Sequence, residues 1–212
     1  MTEAEVVLER KQHILDDLRR GLEFHASSFK EIDDKAKYWL TVSVPSLIGA
    51  SGYALQMGFS LSPYLLSMMV AVLICLFAAV YFFAATIGSI TVSAGILIPE
   101  DQKAESCLYY AQSQENWEQY EALRVKITLS ALLQNERQTQ RKGRHLLVAE
   151  ALLFRGVPTA ACAAAVCAAF TDVCVAHGRG IGATAAIVTG IAIGTGTVAT
   201  FWIATHNRTS PA

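Results

Sequence analysis

Four long apolar runs, at residues 38–57, 63–98, 157–176 and 181–205, alternate with two polar stretches, 1–37 and 99–156. The runs contain no Lys, Arg or Glu, and their one acidic residue, Asp172, lies near the end of the third. A helix needs about 20 apolar residues to cross the hydrocarbon core of a bilayer, and each run meets that within a residue or two. A soluble helix of such length would carry a charged face; these carry only scattered Ser and Thr. The pattern predicts an all-α membrane protein. Its four transmembrane helices form two hairpins, joined to long cytoplasmic amphipathic helices. The expected boundaries are an amphipathic helix over 1–37, one hairpin over 38–98, a cytoplasmic helical segment over 99–156, a second hairpin over 157–205 and a tail over 206–212.

The polar stretches have a period of their own. Leu8, Leu15, Leu18, Leu22, His25, Phe29, Ile32, Ala36 and Trp39 recur at intervals of three, four or seven, a coiled-coil-like seam. The candidate oligomerisation seam is Leu15, Leu18, Leu22, His25, Phe29 and Ile32. Two partners fit it: the chain's own middle segment, or a second subunit. Nothing breaks the chain between Ile32 and Tyr38, so the helix is expected to run straight into the first span. In the middle segment a short helix over 100–114 is expected, then a long one over 114–155, interrupted at most near Gly143. Its apolar stripe is Trp117, Tyr120, Val125, Leu129 and Leu132. Helix, span, turn, span occurs twice in the same orientation, an architectural repeat that residue identities do not extend.

The spans differ in bulk. The first is rich in small residues, including Gly49, and holds Pro45, which is expected to kink it; the second is rich in Leu, Met and aromatics. In the fourth, Gly190 and Gly194 form a G-x-x-x-G step, which lets helix backbones approach closely. Gly49, Gly190 and Gly194 are therefore candidate transmembrane packing positions. The small-residue surface serves packing within one four-helix unit, a contact with another copy, or a pore-facing surface.

Charge orients the chain. Net charge is −1, and all but Arg179 of the 17 Lys and Arg fall in the two polar stretches or the tail. Basic residues mark the cytoplasmic side, which places both termini and the middle segment in the cytoplasm, with two short turns outside. The N-terminus lacks the short apolar core of a cleavable signal, so the first span is expected to direct insertion. A near-neutral chain does not suit a nucleic acid duplex. The five cysteines form no C-x-x-C pair, and those in the spans suit apolar packing.

Catalytic patterns are missing. The five histidines are scattered, and no H-E-x-x-H, P-loop or G-x-S-x-G occurs. No catalytic residue, metal site or cofactor is expected, and the chain does not read as an enzyme. Two charged groups remain. Arg137, Arg141, Lys142 and Arg144 precede the third span, suited to anchoring on anionic lipid or to an anion such as a nucleotide phosphate. Asp33, Asp34 and Lys35 lie where the first helix approaches the membrane, a motif suited to a solvated junction.

That junction carries a resemblance. The stretch Phe29-Lys30-Glu31-Ile32-Asp33-Asp34-Lys35-Ala36-Lys37-Tyr38-Trp39-Leu40, leading into a small-residue span, a tight turn and a bulky span, resembles the Pycsar-type membrane effectors of bacterial anti-phage systems. The helix–hairpin layout is also similar to the SLATT and SMODS-associated four-span effectors, although SLATT proteins have two spans. The match covers about the first 100 residues. The resemblance implies an effector that oligomerises and permeabilises or depolarises the inner membrane, causing abortive infection. A cyclic nucleotide or an associated defence protein would trigger it, and its partners would be the lipid bilayer and further copies of itself. Two other readings of the residues stand beside it: a non-conducting membrane scaffold or signalling subunit acting through its cytoplasmic helices, and a small housekeeping channel or transporter.

Overall fold

The structure is a computed structural model that describes residues 3–57, 62–88, 114–175 and 183–208, and all regular structure among these residues is helical. α1 spans Glu3–Met57, α2 Pro63–Ile87 and α3 Gln114–Ala151. A π-helical turn, Leu152–Gly156, leads into α4, Val157–Val175, and α5 spans Ala183–Arg208. The short helix expected over 100–114 lies outside the described residues except for its last position, as does the end of the second apolar run.

Local chemistry explains the boundaries. α1 passes from its polar start into the first apolar run because no breaker intervenes, and Pro45 sits inside it. Proline removes one ladder donor; the carbonyl that loses it is that of Thr41, four residues back. α2 begins where Ser62 Oγ accepts the Leu65 amide at 3.5 Å, with Pro63 in the first turn, a position where its missing N–H costs nothing. α3 runs unbroken through Gly143. The irregularity comes later, where the Val157 amide reaches back five residues to the Leu152 carbonyl. Pro158 follows at once, and a widened turn absorbs the ring that would crowd the preceding carbonyls.

Among the described residues three stretches are long and apolar enough to cross a membrane: Pro63–Ile87, Ala122–Cys167 and Ala185–Thr205. They mark a membrane-associated protein. The first apolar run is not among them. Ser43, Pro45, Ser46, Ser51, Tyr53 and Gln56 dilute its hydropathy. Hydroxyls within these helices donate to their own backbone: Ser43 to Trp39 at 2.7 Å, Thr86 to Phe82 at 2.8 Å, Thr195 to Ile191 at 2.7 Å, Thr200 to Gly196 at 2.8 Å. Such bonds satisfy a hydroxyl without water.

The chain divides into two compact units, Met1–Glu31 with Ser89–Arg141 and Ile32–Gly88 with Lys142–Ala212. In the first unit α1 and α3 run parallel. A Cβ built at Gly21 would lie 2.8 Å from Leu132 Cδ1, and His25 meets Thr139, so the contacts advance together along both helices. The face α3 buries here is Thr128, Ala131 and Asn135. This corrects the expected apolar stripe at Leu129, which is 45% exposed, while Val125 and Leu132 are half-buried and Leu132 lies against Gly21; the packing face follows the 128, 131, 135 spacing. The side chains of Trp117 and Tyr120 lie outside the described residues.

In the second unit α2 is central. Its Ala79 and Phe83 pack with Ala36, Leu146, Val148, Ala149 and Leu152, and its Ala71 and Cys75 with Ala160 and Ala164. Contact positions on α2 fall as those on α3 and α4 rise, so it is antiparallel to them. α2 and α5 run parallel, since Gly190 lies against Val70 and Gly194 against Ile74. Ile48, Leu55, Phe77, Val188 and Ile203 point outward and are more than half exposed. Holding a large apolar side chain in water forgoes about 1.5–3 kcal/mol of burial; hydrocarbon removes that cost.

Candidate functional site

The chemistry of the second unit gathers at one end. Lys142 donates from Nζ to Asp33 Oδ1 at 2.8 Å, with the lysine side chain 3% exposed and the carboxylate 27%. Two turns further on, the Trp39 indole N–H donates to Glu150 Oε1 at 3.2 Å. These contacts join α1 to α3 in parallel, 109 and 111 residues apart. An ammonium so far removed from water needs a partner at hydrogen-bonding distance, and removing one member of such a pair costs about 3–5 kcal/mol.

Aromatic rings complete the collar. Trp39 meets Phe154 edge-on, with centroids 4.8 Å apart, and Phe154 lies in the π turn. Phe82 stacks on Trp202 at 5.2 Å, and His145 lies 6.0 Å from Phe82 and 6.4 Å from Trp202. Charged pairs, indoles and an imidazole thus share the end of the unit where α1 and α3 become apolar. Indole rings favour such polar–apolar boundaries.

The remaining sequence candidates fall as follows. Asp34 and Lys35 are exposed, Asp34 lying 3.9 Å from Lys37. Of the basic group, Arg137 and Arg141 are exposed and Arg144 is half-buried; Lys142 alone is buried, and it faces Asp33. The seam residues Leu15, Leu18, Leu22 and His25 are half-buried and Phe29 is buried. His25 Nδ1 lies 3.3 Å from Thr139 Oγ1. The Thr139 hydroxyl donates to the Asn135 carbonyl, so the histidine nitrogen supplies the proton of the ring–hydroxyl bond. Ile32, in the other unit, packs on its first core cluster.

The glycines separate clearly. A Cβ at Gly190 would fall 2.6 Å from the Ser67 carbonyl oxygen, and one at Gly194 2.9 Å from Ile74 Cβ. Gly49 is exposed, with nothing within 4 Å of such an atom. The α2–α5 contact also buries Cys75, whose Sγ lies 4.0 Å from the Gly194 carbonyl, and the Ser67 hydroxyl, which has no hydrogen-bond partner. Among the described residues no three His, Cys, Asp or Glu side chains converge as metal ligands.

Sequence reasoning named Asp33 and Lys142 for separate reasons and did not pair them. It gave no functional role to Glu150, His145, Phe82 or Trp202. A polar residue at the edge of an apolar run was the available signal for Glu150 and His145. No protein-family model, curated protein or solved structure matches this chain.

Proposed function

We propose that this chain is a four-span membrane effector of a bacterial anti-phage system, built as two hairpins side by side, with both termini and the middle segment in the cytoplasm. When triggered by a nucleotide second messenger or a partner protein, it oligomerises and permeabilises or depolarises the inner membrane. The observation that carries the reading is the Asp33–Lys142 pair. Asp33 belongs to the acidic-Lys-Ala stretch on which the resemblance rests, and its carboxylate is held by a buried lysine where the helices turn apolar. An ion pair balanced against its own desolvation is a contact that a charged trigger or a helix shift can exchange. Assembly is supported by the first unit, where Ile14, Phe24, Leu129 and Leu133 are exposed large apolar residues on helices with charged neighbours.

A second reading, the non-conducting scaffold, is favoured by one observation. The hydroxyls of Thr86, Thr195 and Thr200 bond within their own helices, and small apolar residues fill the contact of α2 with α4, so no polar lane runs along that contact. Expression in a bacterial host with a potential-sensitive dye separates the two. The effector reading expects depolarisation and growth arrest on triggering or overexpression. It also expects Leu18→Glu with Leu22→Glu to abolish both while the protein still fractionates with membranes. Unchanged membrane potential at high membrane levels of the wild-type chain would leave the scaffold.

A further inference from the structure

We propose that the second unit holds one anionic phospholipid, with an acyl chain in a groove between α1, α2 and α5 and its phosphate beside His145. The groove encloses about 570 Å³ and is lined by Leu47 on α1, Ile74, Ala78 and Phe82 on α2, and Ala199 and Trp202 on α5, among others. Its volume lies within the range of about 300–1,000 Å³ usual for ligand pockets. Its shape is a slot. The α2 lining runs from Leu73 to Phe82, which at about 1.5 Å rise per residue extends along the helix for roughly 13 Å. An apolar groove of that length suits hydrocarbon better than a compact polar ligand.

The surroundings name the occupant. Both α2 and α5 include stretches apolar enough to cross a membrane, so the medium at the mouth of the slot is hydrocarbon. One end of the slot is formed by the stacked rings of Phe82 and Trp202, and His145 touches both. Arg144, the preceding residue of α3, is half-buried. A ligand that is apolar along the slot and meets an imidazole at its end, on a helix turn that also carries an arginine, is a lipid with an anionic headgroup. Lys142 adds no net charge there, since Asp33 neutralises it. The inference rests on the membrane character of these helices and not on the effector reading, so loss of toxicity and loss of lipid are separate readouts.

Native mass spectrometry of the detergent-extracted full chain tests it, using palmitoyl-oleoyl phosphatidylglycerol and the matching phosphatidylcholine as probes. The expected result is one retained lipid per chain and a preference of about tenfold or more for phosphatidylglycerol, a difference of about 1.4 kcal/mol. Ala199→Trp, which fills the slot, should reduce retention to the level of loosely associated lipid. Thr195→Phe, which fills it from another position, guards against a folding defect in the first variant. His145→Gln should keep the chain in the slot and lose most of the headgroup preference. Equal retention by wild type and both filled variants would show annular lipid only and overturn the proposal. Equal affinity for the two headgroups would also overturn it. So would a lipid-free two-copy species that Ala199→Trp converts to one copy, since a second chain would then occupy the groove.

Discussion

Two parallel helix pairs lie within the second unit, and different chemistry holds each. α1 and α3 are joined by side chains that reach, Lys142 to Asp33 and Trp39 to Glu150. α2 and α5 are joined by side chains that are missing, at Gly190 and Gly194. The difference follows from what surrounds each contact. At the polar end, water competes for hydrogen bonds but also tolerates charge. Among apolar helices no hydrophobic force separates helix from lipid, and association depends on close backbone approach. Small residues alone do not make a contact, however. Gly49 and Gly52 have nothing within 4 Å of a built Cβ, whereas Gly190 and Gly194 are walled in.

Substitutions can break this comparison in order of expected size. Asp33→Asn leaves the Lys142 ammonium, 3% exposed, without the Asp33 carboxylate and should cost about 3–5 kcal/mol, read as a lowered unfolding midpoint in detergent; Lys142→Ala should cost less, since the carboxylate it leaves behind is 27% exposed and reaches water. Gly190→Ala should cost about 1–3 kcal/mol by overpacking, because its Cβ meets the backbone carbonyl of Ser67, which no rotamer can move. Trp39→Phe loses a bond to a carboxylate that retains some access to water, and should cost about 1 kcal/mol. Gly49→Ala meets open space and should be neutral or stabilise by up to about 1 kcal/mol through helix propensity. If Gly49→Ala proved as damaging as Gly190→Ala, the first apolar run would be packing on something outside this chain, and the contrast between the two glycine sites would fail.

The helices themselves were legible because periodicity is local. Apolar runs and the seam spacing lay within each segment, and the absence of a breaker between Ile32 and Tyr38 correctly implied a continuous α1. Three features were not legible. The first run meets the length requirement for a span, but its serines, Pro45 and Gln56 keep it less apolar than the other three, a matter of degree that counting charges overlooks. The packing face of α3 follows Thr128, Ala131, Leu132 and Asn135, because polar side chains serve inside a helix pair when they find partners, and Leu129 and Leu133 are left outward. The Asp33–Lys142 pair joins residues 109 apart. Within the sequence, each belonged to a cluster of charges that reads as a solvated face. Burial of one lysine in a group of four basic residues depends on the register of two helices, and no local pattern encodes that register.

The central claim is that four helical segments cross the bilayer as two hairpins whose polar helices stay on one side. Cysteine labelling in intact cells tests it most directly, with a membrane-impermeant maleimide and single cysteines at positions 24, 62, 133 and 180 of a chain whose native cysteines are replaced by alanine. The account predicts labelling of positions 62 and 180 in intact cells, and of 24 and 133 only after the membrane is opened. Labelling of position 133 from outside, or protection of both 62 and 180 until the membrane is opened, would contradict it.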